Sequence, residues 1–260
     1  MERSVRFMPG KELPDELRAA MERVKAYGVS YPGGYHRTLV EKYSKEGVRY
    51  PHILMILGEP RIHRHFFYPH ALKRAGRLLD YGCGTGDNVR QLIRDGFFRE
   101  HITAFDINRE SIGLGLDLYR DGEEMEDLFV VSETFPFRPE EYDTVYSASV
   151  IHVIADEKEF LNYLANAYST LRPGGILFGS TLGLAEGAVL PPSTRGPPRI
   201  MTGEQLAGSL TSTGFTRPDI VRQQGVPDYV PHHENVCVLE FCTKKPESSK
   251  GSISPPPLPT

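Results

Sequence analysis

The chain has 260 residues, 39% hydrophobic and 25% charged, which suits one sizeable folded core and leaves two catalytic domains cramped. A formal net charge of -4 provides no broad basic surface, so nucleic-acid binding is disfavoured. The cysteines Cys83, Cys237 and Cys242 form neither a metal spacing nor a paired framework, the first residues lack a signal peptide's apolar core, and no apolar run approaches the roughly 18 residues of a membrane span; a cytoplasmic setting is the expectation.

Residues 1–75 read as an N-terminal helical lid. In "PDELRAAMERVKAYG", Leu17, Met21, Val24 and Tyr27 share a face; "SYPGGYH" breaks the chain, and "RTLVEKYSKEG" and "HILMILGEP" continue the helical pattern. The stretch "RIHRHFFYPHALKR" then concentrates positive charge among aromatics, as a solvated helix face or an anion-facing entrance to a site.

From Arg77 short apolar strands alternate with helices. "RLLDYG", "ITAFDI", "LFVVSE", "YDTVYSAS" and "GGILFGST" read as strands, with "NVRQLIRDG" and "EKEFLNYLANAYSTLRPGG" as helices; Pro173-Gly174-Gly175 is expected to stop the second. This alternation predicts an α/β fold, a parallel sheet covered on both faces. The loop "LPPSTRGPPRIM", the helix "TGEQLAGSLTSTG" and the strands "PDIVRQ" and "ENVCVLEFCTKK" complete a core over 76–245, and residues 246–260, with almost no apolar side chains, are expected to be disordered.

Between the first strand and its helix, "LLDYGCGTGD" places Gly82, Gly84 and Gly86 in a tight turn. The spacing is not the Gly-x-Gly-x-x-Gly of a pyrophosphate cradle, and Asp80 puts negative charge where phosphates would sit, so a cationic or amino-bearing ligand suits the turn better. Asp106 ends the second strand, where a carboxylate can accept both hydroxyls of a ribose, and Glu133 ends the third. All three acids fall at the carboxyl ends of neighbouring strands, where open α/β sheets bind ligands.

In this order the motifs "LLDYGCGTG", "AFDIN", "VSE", "YDTVYSAS" and "LRPGGILF" resemble those of the class I S-adenosylmethionine-dependent methyltransferases. The resemblance implies a Rossmann-like, seven-stranded, mostly parallel sheet with helices on both faces and a reversed last strand, for which "VCVLEF" is the candidate. It implies S-adenosylmethionine as cofactor and S-adenosylhomocysteine as product. Carried over, Gly82, Cys83, Gly84 and Gly86 line the methionine part; Asp106 and Ile107 take the ribose and flank the adenine; Ser132, Glu133 and Thr134 approach the adenine edge; Ser147 or Ala148 meets the methionyl amino group. "YPHIL", "LIRDGFFREHITAFDINRESIGLGLDLYRD" and a lone histidine after the fourth strand also look like the small fungal methyltransferases of meroterpenoid biosynthesis, implying a carboxyl group of a hydrophobic natural-product intermediate as acceptor.

On the acceptor side, His152 follows the fourth strand. It can be a base for a hydroxyl, an orienting donor for a carboxylate, or packing. In the lid, Tyr31, Tyr35 and His36 can wall an apolar acceptor, and Arg64 or His65 can pair a carboxylate. His232 and His233 read as a loop rather than a metal pair, and no metal is expected. Phenol, alcohol or N-methylation are the competing chemistries. A fold that kept the pocket and lost the transfer, acting as a cyclase, an isomerase or a regulatory partner, is the competing class, and a homodimer is left open.

Overall fold

The computed structural model describes residues 15–46, 53–74, 76–188, 199–223 and 235–247. The N-terminal part holds α1 (Asp15–Lys25), α2 (Tyr35–Glu46), the single turn α3 (Ile53–Ile56) and, after a 3-10 turn at Ile62–Arg64, α4 (Tyr68–Ala71). Then follow β1 (Leu78–Tyr81), α5 (Asp87–Arg94), β2 (Ile102–Asp106), α6 (Arg109–Tyr119), α7 (Gly122–Met125), β3 (Phe129–Val131), β4 (Tyr142–Ala148), α8 (Glu157–Thr170), β5 (Leu171–Leu184), α9 (Gly203–Thr213), β6 (Asp219–Gln223) and β7 (Val236–Lys244).

The seven strands pair in the order β3-β2-β1-β4-β5-β7-β6, with β1 to β5 parallel and β7 antiparallel to both β5 and β6. This is the sheet expected from the motifs, reversed strand included. Every residue of β1 is buried, as a central parallel strand covered on both faces requires. One face packs on α8 and α9 through Leu79, Tyr81, Leu164 and Leu206; the other packs on α5 and residues 62–72 through Leu78, Tyr146, Phe178 and Val89.

Local chemistry sets the helix limits. Asn108 caps α6 and Asp156 caps α8, the latter by accepting the Glu159 amide at 2.9 Å. Thr202 and Gln205 form a reciprocal cap on α9, which ends at Gly214 with φ 112°. Two expectations are corrected here. Helix α8 stops at Thr170, before Pro173, because Leu171 already pairs with Tyr142; Pro173-Gly174-Gly175 lies in the irregular start of β5, where the register shifts. The run "HILMILGEP" yields only one helical turn, since Gly58 takes φ 84° against Arg23 and Pro60 follows.

The N-terminal helices share one apolar cluster with α6, in which Leu17, Val24, Leu39, Tyr43 and Leu57 meet Leu114 and Leu118. Arg23 ties α1 to α3 by donating to the carbonyls of Leu54 (2.6 Å) and Leu57 (2.7 Å). No described helix is long and apolar enough to cross a membrane. Residues 248–260, the His232-His233 pair and most of "LPPSTRGPPRIM" lie outside the described residues.

Candidate active site

Gly82, Gly84 and Gly86 all adopt positive φ (87°, 56° and 77°), the left-handed region that favours glycine. At Gly82 space forbids a side chain as well, because a Cβ would sit 2.2 Å from Cγ2 of Val150. Strand β2 holds this loop in place: the amides of Gly82 and Cys83 donate to the Phe105 carbonyl (2.8 and 3.0 Å), and the Gly84 amide donates to Oδ2 of Asp106 (2.8 Å). The other oxygen of Asp106 accepts the Asn108 amide at 2.9 Å. A carboxylate has about four acceptor positions, so Asp106 can fix the loop and still meet ribose hydroxyls.

Asp80, the third residue of β1, is 1% exposed, and its Oδ2 is buried without a hydrogen-bond partner. Burial first, then the charges of Asp106 and Asp87, push its carboxyl up to about 8. A buried acid with an orphaned oxygen is the complement of a cation, and the α-ammonium of S-adenosylmethionine supplies one. Just beyond Asp106, Ile107 is 50% exposed, an apolar side chain held open beside the ribose position, as an adenine ring requires. Along the next strand, the Thr134 amide donates to Oγ of Ser132 at 3.2 Å, and Glu133 stands exposed at the tip. The chain's residues therefore fit S-adenosylmethionine: Asp80 would face its ammonium, Asp106 its ribose and Ile107 its base.

Several expected site residues are placed differently. The Cys83 thiol packs into the sheet-face core, and burial raises its pKa well above the ordinary thiol value, so only its backbone faces the loop. The Ser147 hydroxyl lies on the α8 face, 2.7 Å from the hydroxyl of Tyr163, which itself donates to the Tyr81 carbonyl; Ala148, the last residue of β4, packs on the opposite sheet face. His65 is core: its Nε2 donates to the Gly179 carbonyl (2.9 Å), its Nδ1 accepts the Phe67 amide (3.1 Å), and burial lowers its pKa. With both nitrogens engaged, it is unavailable to a substrate carboxylate. Tyr31 and Tyr35 stack on each other and donate to the carbonyls of Leu118 (2.7 Å) and Asp117 (2.8 Å), closing the last turn of α6 rather than walling an acceptor. His36 is half-buried on α2, and Arg64 is exposed.

Two residues after the glycine turn escaped the sequence reading. Asp87 accepts the Gly58 amide and the Tyr119 hydroxyl (both 2.6 Å) as well as the Thr85 hydroxyl; Asn88 accepts the amides of Arg61 (3.0 Å) and Ile62 (3.1 Å). Together they strap residues 58–62 across the loop, and Ile53 comes close to Gly84. Arg90 is also buried, paired through two nitrogens with Asp121 (2.7 Å each), donating to the Thr85 carbonyl (2.7 Å) and stacked over Tyr119. Only the polar "GDN" after the turn could have signalled the strap, and it reads equally as a helix start.

His152 lies in a 3-10 turn (Ile151–Val153) after β4 and is 7% exposed. Its Nδ1 accepts the Leu182 amide (3.3 Å) and lies 3.2 Å from Oγ1 of Thr181. In the neutral ring this places the proton on Nε2.

Residues 58–216 match the family described as "Methyltransferase domain". Methyltransferase adrK of Penicillium rubens is 28% identical over 148 residues, 45% of this chain and 52% of that protein. The Asnovolin E/Chermesin D methyltransferase nvfJ of Aspergillus novofumigatus is 25% identical over 173 residues, 55% of this chain and 62% of that protein. The chain thus spans about half the length of the curated relatives it matches. Among solved structures, the cyclase SpnF shares the fold, with a TM-score of 0.53 at 20% identity over 68% of this chain and 78% of its own. The family match covers more than half of the sequence and takes in the glycine loop, the acids and the sheet around them: the chain belongs to the methyltransferase domain family.

Proposed function

We propose that the chain transfers a methyl group from S-adenosylmethionine to a carboxylate oxygen of a hydrophobic small molecule in natural-product biosynthesis. The observation that carries the choice of acceptor is the hydrogen bonding of His152. With Nδ1 accepting the Leu182 amide, the neutral ring is a donor at Nε2, suited to orienting a carboxylate oxygen and ill suited to taking a proton from a phenol or alcohol. A carboxylic acid, with an ordinary pKa near 4, is already ionised at neutral pH and needs no base.

When bound, the donor supplies an electrophilic methyl group on a positive sulfur, and a carbon–oxygen bond forms as the carbon–sulfur bond breaks. The protein's task is alignment. Asp80 and Asp106 hold the two ends of the donor, the strap over residues 58–62 crosses the glycine loop, and His152 lies just past β4, on the acceptor's side. Partly buried Leu182 and Val238 give the carboxyl end of the sheet an apolar surface suited to a hydrophobic acceptor. The names of the relatives adrK and nvfJ, the second printed as a methyltransferase of asnovolin E and chermesin D, support methyl transfer. With a net charge of -4, no nucleic acid partner is proposed, and the cytoplasm is the proposed setting.

A labelled-methyl assay on a panel of hydrophobic acids and phenols tests this directly. The expected product is a methyl ester, whose label mild alkali releases. Label resistant to alkali, found on phenols alone, would overturn the carboxylate acceptor. Replacing His152 with Ala is expected to slow ester formation by about tenfold or more, the usual worth of one positioned donor. A second reading, transfer lost and the fold reused as in the cyclase SpnF, ends with any transferred label.

A further inference from the structure

The turn that carries His152 between β4 and α8 is irregular, and it leaves main-chain carbonyls to be satisfied from elsewhere. Helix α8 starts its own ladder with the Phe160 amide on the Asp156 carbonyl (3.0 Å), so the carbonyls of His152, Ile154 and Ala155 lie outside it. Arg199 binds each of them. Its amide donates to the His152 carbonyl (3.2 Å), its Nε to that of Ile154 (3.1 Å) and its Nη2 to that of Ala155 (3.3 Å). The guanidinium also stacks 4.2 Å from the ring centre of the buried Phe160. A further bond, from Nη1 to Glu157 (2.7 Å), ends on a side chain that is 68% exposed and so contributes little. Strand β5 places this arginine. The Leu184 amide donates to the Met201 carbonyl (2.9 Å) and Met201 bridges to Gly183, which lays residues 199–201 along the end of the strand. The same strand meets the imidazole, through the Leu182 amide and the Thr181 hydroxyl at Nδ1. The ring is thus held by β5 and its main chain by Arg199, two grips set by one strand.

We infer that Arg199 is a positioning residue for methyl transfer: by binding the carbonyls of His152, Ile154 and Ala155 it fixes the turn that carries the imidazole, keeping Nδ1 on the Leu182 amide and the proton on Nε2. A guanidinium suits this task because its planar fork meets two carbonyls while its face lies on an aromatic ring; an ammonium does only one of these at a time. Arg199 itself touches no reacting atom in this scheme and acts through the histidine. Its role rests on the reading of His152 as a hydrogen-bond donor to the acceptor and does not depend on which acid is methylated.

The ring nitrogens of His152 report this grip without any acceptor. In protein carrying nitrogen-15 histidine and saturated with S-adenosylhomocysteine, at about pH 8 where an ordinary imidazole is neutral, nuclear magnetic resonance distinguishes the two tautomers. The His152 signal, identified as the one lost in His152→Ala, should show the proton on Nε2 alone. Arg199→Met should give a mixture of both tautomers, with Arg199→Lys in between. Initial rates on the acid of the panel that takes most label give a second reading. Arg199→Met should slow the wild type by about tenfold but the His152→Ala protein by less than about twofold, since one acts through the other. Glu157→Gln should change neither reading, and affinity for S-adenosylhomocysteine, the check on an intact fold, should stay at the wild-type value throughout. If Arg199→Met does not fold, Arg199→Lys carries the same comparison. Equal slowing in both backgrounds, an unchanged tautomer, or S-adenosylhomocysteine binding that falls along with the rate would overturn the role of Arg199 alone. A wild-type His152 protonated on Nδ1, or a His152→Ala protein as fast as wild type, would instead overturn the orienting histidine, and the role of Arg199 with it.

Discussion

Asp80 sets function against stability within one side chain. Its carboxyl moves from the ordinary 3.8 up to about 8, so between those values the folded chain holds a proton that the unfolded chain has released. The folded state is therefore destabilised progressively as pH rises from about 4 to about 8, with the full penalty above that range. Asn carries no such penalty. Asp80→Asn should raise the melting temperature slightly near pH 5 and clearly near pH 9, while weakening S-adenosylhomocysteine. A melting difference equal at both pH values would show that the acid is not strained by its burial. A bound ammonium beside Asp80 would remove the same penalty from the wild type.

At the scale of elements, the glycine loop is a junction rather than a simple turn. Strand β2 holds it from one side, Arg90 grips Thr85 from beneath, and the strap crosses above. The Arg90–Asp121 pair ties α5 to the residue just before α7, with the guanidinium side chain only 5% exposed. Asp121→Ala would leave that guanidinium buried without its anion, at a cost of about 3 kcal/mol or more in urea unfolding. A loss below about 1 kcal/mol would place the pair with ordinary surface ion pairs. The parallel strands and the acids at their carboxyl ends were legible in the sequence because a parallel sheet puts its ligand-facing residues at strand ends, where each motif breaks from apolar to Gly or Asp; the reversed last strand followed only from the resemblance of the motifs. The strap was not legible, since it depends on amides of Gly58, Arg61 and Ile62 meeting side chains 26 to 29 residues away. Of the two β4 residues expected at the methionyl amino group, Ser147 and Ala148, the side chains face opposite ways: Ser147 points at Tyr163, while Ala148 packs with Tyr146 on the other sheet face. His65 sat in a stretch whose charge read as surface, and only the fold reveals the Gly179 carbonyl it satisfies.

For the molecule as a whole, the strand order carries a consequence for synthesis. Among the described residues β6 pairs with β7 alone, and β7 follows it in the chain, so the ribosome must deliver Val236–Lys244 before β6 meets that partner and before β7 covers the long outer edge of β5. Until then nine residues of β5, Ile176 to Leu184, present unpaired backbone to neighbouring nascent chains. A chain stopped at Asn235 should lose two strands rather than one and pellet on centrifugation; recovery of soluble protein that still binds S-adenosylhomocysteine would contradict this. Asp80 and Asp106, proposed to hold the donor, are made well before β7, and the lasting solubility of the sheet that carries them depends on that later strand.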